Sequence, residues 1–202
     1  MDEVALIEAA KGGDLDSFNS LILTYQDLAY NVAYRIMGDG PSAEDATQDA
    51  FIKSYKSLKR FRGGSFRSWL MRIVTNVCYD ELRKRKRRPQ VALEPYNADN
   101  EEIESPSWLK DPGESPEDRA ARMELSGAIQ DCLNGLSPDF RAVVVLVDIQ
   151  GMDYGEASDM VNTPLGTIKS RLARARLKLR DCLQGFGELL PATFRLEEEQ
   201  SL

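Results

Sequence analysis

The chain is expected to be all-α: two small helical domains joined by a flexible acidic linker, the second domain containing a helix-turn-helix. Three observations predict this. Apolar residues recur at three- and four-residue spacing along most of the chain, the period of an amphipathic helix. No segment keeps the strict alternation of a strand. Residues 89–118 lose the helical period altogether and hold five prolines and nine acids against one base, a composition with too little apolar surface to bury.

The elements follow in order. Ala5, Leu6, Ala9 and Ala10 lie on one helical face, and Gly12-Gly13 breaks the run. Phe18, Leu21, Ile22, Tyr25, Leu28, Ala29, Val32, Ala33 and Ile36 form a wide apolar stripe that ends at Gly38-Asp39-Gly40-Pro41; glycine and proline are natural helix stops. Ser42 is expected to cap the next helix, with Glu44 and Asp45 in the first turn where the helix dipole favours negative charge. That helix carries Ala46, Ala50, Phe51 and Leu58. After the loop Arg62-Gly63-Gly64-Ser65, a long helix from about Ser65 or Ser68 to Arg88 buries Trp69, Leu70, Ile73, Val74, Val77 and Cys78 and stops before Pro89. Beyond the linker, with its apolar pair Trp108-Leu109, a second helical set starts near Glu117. Ser137-Pro138 opens a helix through Ala142–Ile149, whose Val143-Val144-Val145 run also suits a strand. Tyr154–Val161 is a short helix, Asn162-Thr163 a turn, and Thr163-Pro164 opens a helix to about Leu183. Leu189, Leu190 and Phe194 suit a short extra helix.

At 202 residues with 42% hydrophobic and 29% charged side chains, the composition is ordinary for one or two globular domains. No apolar run reaches the ~20 residues that span a bilayer, and the acidic start Met1-Asp2-Glu3-Val4 lacks the basic-then-apolar order of a signal peptide, so a cytoplasmic protein without membrane insertion is expected. With no histidine and three scattered cysteines (Cys78, Cys132 and Cys182), no metal site or other cofactor is predicted. The cysteines read as small buried hydrophobes in a reducing compartment.

The net charge is −7 but unevenly spread. Residues 51–88 hold thirteen bases against two acids, and residues 169–180 hold six bases and no acid. Two basic blocks in an acidic chain are the footprint of nucleic-acid binding. In the second block, Leu165, Ile168, Leu172, Ala175 and Leu179 face inward, while Lys169, Ser170, Ala173 and Arg174 make an outer stripe suited to base edges in a major groove. Arg171, Arg176 and Lys178 flank it and suit phosphates. None of the six bases has an acid four residues before it, so a merely solvated, ion-paired face is the weaker reading. In the first block, Asn76, Asp80, Arg83, Lys84 and Arg87 recur opposite the core face, and Arg83–Arg88 are six consecutive bases that also suit a non-specific phosphate tether. Lys53, Lys56, Lys59, Arg60, Arg62 and Arg67 interleave with Tyr55, Phe61, Phe66 and Trp69, a pattern found where single strands stack on rings; Phe66 and Trp69 suit the core better. Glu44, Asp45, Gln48 and Asp49 form an acidic-polar face that would repel DNA and suits a protein partner, or simple solvation.

Three segments together resemble the extracytoplasmic-function family of bacterial RNA polymerase sigma factors: Ala43-Glu44-Asp45-Ala46-Thr47-Gln48-Asp49-Ala50-Phe51; Phe61-Arg62-Gly63-Gly64-Ser65-Phe66-Arg67-Ser68-Trp69-Leu70 followed by Arg72-Ile73 and Asn76; and Leu165-Gly166-Thr167-Ile168-Lys169-Ser170-Arg171-Leu172 with Arg174-Ala175-Arg176. The resemblance implies region 2 over 1–90, an acidic linker over 91–118 lying in polymerase channels, region 4 over 119–185 and a tail of open role over 186–202. It implies that Asp45, Gln48 and Asp49 bind core polymerase. Arg62, Gly63, Gly64, Ser65, Asn76, Asp80, Arg83, Lys84 and Arg87 would recognise and melt the minus-ten element, the loop holding a flipped base. Thr167, Lys169, Ser170, Arg171, Ala173, Arg174 and Arg176 would read the minus-thirty-five element, although Ala173 stands where a longer side chain would reach a base. A cognate anti-sigma factor is the further partner implied. The competing expectations are a stand-alone helix-turn-helix regulator and a carboxylate-dependent nuclease, for which the acids lie too scattered.

Overall fold

The computed structural model describes residues 2–87 and 115–190. All regular structure among them is helical: α1 (Glu3–Lys11), α2 (Leu15–Met37), α3 (Gly40–Ser57), a 3-10 turn (Leu58–Arg60), α4 (Phe66–Arg87), α5 (Pro116–Asn134), α6 (Pro138–Val144) running into a π-helical turn (Val145–Ile149), α7 (Tyr154–Val161), α8 (Leu165–Gln184) and a 3-10 turn (Gly187–Leu189). Trp108, Leu109 and Phe194 lie outside the described residues, as do 91–114 of the expected linker and 191–202 of the tail.

Local chemistry sets the ends. Asp2 and Asp14 cap α1 and α2 through their carboxylates. α2 stops at Gly38, whose φ of 91° is the left-handed conformation that a helix end uses. The cap of α3 is Asp39, not the expected Ser42: the Asp39 carboxylate accepts the Ser42 amide at 2.8 Å. Pro41 lacks an N–H and fits the first turn, which places Ser42 inside the helix. Helix α5 begins at Pro116 behind the Ser115 cap, so residues 116–118, expected in the linker, form its first turn. The valine run 143–145 is helical, as its Ser-Pro opening favours.

The N-terminal helices close around α2. Ala43, Ala46 and Ala50 of α3 are buried, and their small size lets α3 lie close to Ala29, Val32, Ala33 and Ile36. Phe66 is fully buried with Tyr25, Phe61 and Trp69 around its ring, so it serves the core rather than a nucleic-acid stack. The C-terminal helices form a second core on Leu133, Val143, Leu146, Ile168 and Leu172.

The two halves touch. Val145 packs into the first core and Tyr79 against the second. Arg141 of α6, 8% exposed, donates to the Ile36 carbonyl at 3.1 Å and to those of Asn134 at 3.0 Å and Leu136 at 3.4 Å. Burial lowers its guanidinium below the usual arginine range.

The cysteines correct the sequence reading. Cys132 of α5 and Cys182 of α8 form a disulfide, and Cys78 alone is a buried free thiol, pushed by burial up to about 12. A separation of 50 residues hid a pair that only the packing of α5 on α8 creates.

Replacing Arg141 by Met should lower the stability of the full chain by about 1–3 kcal/mol in urea unfolding, because three carbonyls lose their donor. Arg141→Lys should recover only part of this, since a point charge cannot fork across them. An unchanged midpoint for Arg141→Met would show the clasp to be dispensable.

Candidate nucleic-acid interface

The loop Arg62–Ser65 is exposed throughout. Gly63 and Gly64 hold φ of 96° and 88°, two successive left-handed residues. A Cβ at either would meet no atom within 4 Å, so the backbone conformation, not crowding, calls for glycine. Ser65 then starts α4, its Oγ accepting the Ser68 amide at 3.1 Å. Eleven residues on, about 16.5 Å along the same helix, Asn76 is exposed, and Asp80, Arg83 and Lys84 continue its face. Arg83 lies over the Tyr79 ring, 5.8 Å from its centroid, and Lys84 pairs with Glu81 at 3.2 Å. Arg85 turns instead to α3, reaching Ser42 Oγ at 2.6 Å and Asp39 at 3.6 Å. The Arg87 side chain lies outside the described part. Loop and α4 face are therefore one continuous surface. A cavity of about 260 Å³ opens beside it, with Arg62, Trp69 and Arg72 on one wall and Met152, Glu156 and Met160 on the other.

The second surface is built on α7 and α8. Asp153 and Glu156 make a capping box at the start of α7, and Asn162, at φ 47°, turns the chain into α8. Ser158 Oγ donates to the Thr163 carbonyl at 2.6 Å and ties the turn. Ile168, Leu172 and Ala175 are buried, which leaves Lys169, Ser170, Ala173 and Arg174 exposed in one stripe. Lys169 sits 5.9 Å from the Tyr154 ring centroid, and Thr167, half-buried, accepts the Ser170 hydroxyl on its carbonyl at 3.0 Å.

Not every expected phosphate contact is free. Arg171 is half-buried and pairs with Asp139 at 3.3 Å; Asp139 also accepts the Tyr79 hydroxyl at 2.8 Å. Arg176 holds Asp148 with two bonds, at 3.1 and 2.6 Å, and this hydrogen bonding raises its pKa above the ordinary arginine value. Acids four residues back in the same helix are absent, as the sequence says, but acids from neighbouring elements take their place.

The third surface is on α3. Glu44, Asp45, Gln48 and Asp49 are exposed. So is Ile52, at 52%, which sequence reasoning missed although 45, 48, 49 and 52 share one helical face. Among the described residues, no helix is long and apolar enough to cross a membrane.

Comparison with known proteins decides the family. The Sigma-70 region 2 family matches residues 21–88 and Sigma-70 region 4 matches residues 126–179. The ECF RNA polymerase sigma factor SigW of Bacillus subtilis is 36% identical over 88% of this chain and 95% of its own length. The chain belongs to the ECF family of RNA polymerase sigma factors. The ECF sigma factor SigE of Mycolicibacterium smegmatis is 37% identical over 84% of this chain, which spans 62% of that relative's length. Among solved structures, the sigma factor RpoE in complex with the anti-sigma factor NepR from Bartonella quintana matches with a TM-score of 0.57 and 26% identity, over 82% of this chain and 96% of that one. Such relatives are transcription initiation factors rather than enzymes.

Arg176→Ala should make the slope of log affinity for duplex against log salt shallower by about one, as the loss of one phosphate contact would. An unchanged slope would show that Arg176 reaches no phosphate.

Proposed function

We propose that the three surfaces divide transcription initiation between them. The α3 face of Asp45, Gln48 and Asp49, with Ile52 beside them, docks on a coiled coil of the polymerase largest subunit; its acids repel DNA and suit a protein. The loop Arg62–Ser65 takes a flipped base of the minus-ten element, and Asn76, Asp80, Arg83, Lys84 and Arg87 hold the opened strand. Thr167, Lys169, Ser170, Ala173 and Arg174 face the minus-thirty-five element as duplex, with Arg171 and Arg176 on its phosphates. The working parts are then 1–90, an acidic linker 91–118, 119–185 and a tail from 186, acting in the cytoplasm under a cognate anti-sigma factor.

One observation carries the reading of α8. Lys169 and Arg174 stand exposed on the outer stripe, while Arg171 and Arg176 at its margins are held by acids. A stripe presented this way suits side chains that meet base edges, and the flanking arginines suit backbone positioning.

Pull-down with core polymerase followed by transcription from a cognate promoter tests the whole reading. Retention and promoter-dependent transcripts are expected; DNA binding without polymerase binding would leave a stand-alone regulator. Asp49→Lys should abolish retention by polymerase and spare duplex binding.

Arg174→Ala should cost about 1–3 kcal/mol on the minus-thirty-five element, whereas an equal loss on every sequence would make Arg174 a phosphate contact. Asn76→Ala should shift preference at the minus-ten element in transcription from a set of promoter variants, and an unchanged preference there would remove Asn76 from base reading.

A further inference from the structure

Helix α5 is held from two sides. On one side, Ser126 and Gln130 accept the guanidinium of Arg35 from the N-terminal half: Nη1 bonds the Ser126 carbonyl and Gln130 Oε1, both at 3.2 Å, and Nη2 bonds Ser126 Oγ at 3.0 Å. Asn134, one turn on, donates to the Gly38 carbonyl at 3.3 Å and accepts the Gln130 amide at 3.1 Å. Residues 126, 130 and 134 thus make a polar docking face. Cys132 is two residues from both Gln130 and Asn134, about 200° around the helix, and from that opposite face it is bonded to Cys182 in the last turn of α8. The disulfide therefore ties the helix that docks on the N-terminal half to the end of the helix that carries Lys169 and Arg174.

We propose that Cys132 and Cys182 are a thiol–disulfide switch that sets how firmly the C-terminal half stays docked on the N-terminal half, with a dithiol as the reductant. Arg35 is half-buried against neutral oxygens, and this partial burial lowers its guanidinium below the usual arginine range. A desolvated cation without a carboxylate gains little net energy from docking, so the contact depends on α5 holding its acceptors in place. The disulfide supplies that constraint.

The chemistry balances. Cys132 is 2% exposed and Cys182 half-buried, so a thiolate of the dithiol attacks Cys182 Sγ. The Sγ–Sγ bond breaks, and Cys132 leaves as a thiolate and takes a proton. The second thiol of the reductant then attacks the mixed disulfide and releases Cys182 as a thiol. Two electrons and two protons pass to the protein, and the dithiol becomes a disulfide. Cys78 takes no part: it is fully buried and its thiol is held protonated. In the docked form, Glu156 and Met160 face the loop Arg62–Ser65 across the cavity. Reduction would part the two walls of that cavity and widen the approach to the already exposed loop, whose role rests on the sigma-factor reading.

The test uses the full chain, oxidised or treated with dithiothreitol, and needs no polymerase. Alkylation after denaturation should count one thiol in the oxidised chain and three in the reduced one. Amide exchange at residues 126–134 should rise about tenfold on reduction, with a larger radius of gyration by X-ray scattering and unchanged far-UV circular dichroism. Cys132→Ser with Cys182→Ser should behave as the reduced chain in either condition. Arg35→Gln should open the oxidised chain with its disulfide intact, which shows that the bond acts through the docking face. Identical exchange and scattering in the two states would overturn the proposal. So would three free thiols after diamide oxidation, or loss of helix on reduction, which would make the bond a folding staple. Failure of the sigma-factor reading shows elsewhere, in the polymerase pull-down.

Discussion

Two helices end at the same buried cation. The last carbonyls of a helix have no partner within it, and the negative end of the helix dipole points the same way. The Arg141 guanidinium meets Ile36 near the end of α2, and Asn134 and Leu136 at the end of α5. It thus satisfies orphan acceptors from both halves of the chain with a charge of the favourable sign. Gly38 makes room for this: a Cβ there would stand 2.4 Å from Asn134 Oδ1 and 2.8 Å from Arg141 Nη1, and its φ is left-handed. Helix end, glycine and arginine form one constraint, and the placing of α6, and of α7 and α8 after it, follows from where Arg141 is anchored.

Much of the helical layout was legible because the relevant signals are local. Gly12-Gly13, Gly38 and Gly151 stop helices by backbone geometry, and the apolar stripe of α2 is read from spacing alone. The exposed stripe Lys169–Ser170–Ala173–Arg174 follows from the same periodicity. What stayed hidden needed contacts between distant segments. The Cys132–Cys182 bond spans 50 residues, and Asp139 reaches both Tyr79 and Arg171 across helices. The Asp39 cap was missed for a smaller reason: both Asp39 and Ser42 are good caps, and Pro41 between them decides which amide is bonded. Ile52 was passed over because an apolar residue on a charged face breaks the pattern by which faces are recognised.

Charge partition in the fold is finer than in the sequence. The basic block of α8 looks uniform, yet Asp139 and Asp148 divide it into exposed and held arginines. The same holds on α4, where Arg85 braces α3 while Asn76 and Arg83 face outward. An ion pair between exposed groups is worth little in water, so phosphates can compete for Arg176 at small cost. Arg171 is different. It is half-buried, and Asp139 also holds Tyr79 of α4, so freeing Arg171 disturbs a contact between the two halves.

That coupling bears on geometry. Under the proposed reading the two DNA surfaces must meet elements centred about 25 base pairs apart, about 85 Å of duplex at ~3.4 Å per pair. Helix α8 is only about 30 Å long at ~1.5 Å per residue, and its domain rests against α4 through Tyr79 and against α2 through Arg141. Two halves in contact cannot span that distance, so promoter binding requires them to part. Parting breaks the bonds of Arg35, Arg141 and Tyr79, and polymerase and DNA must supply what these contacts gave. The docked arrangement thus sets a threshold for promoter engagement, and its height is governed by α5, which carries acceptors for Arg35 and Arg141 on one face and the disulfide on the other.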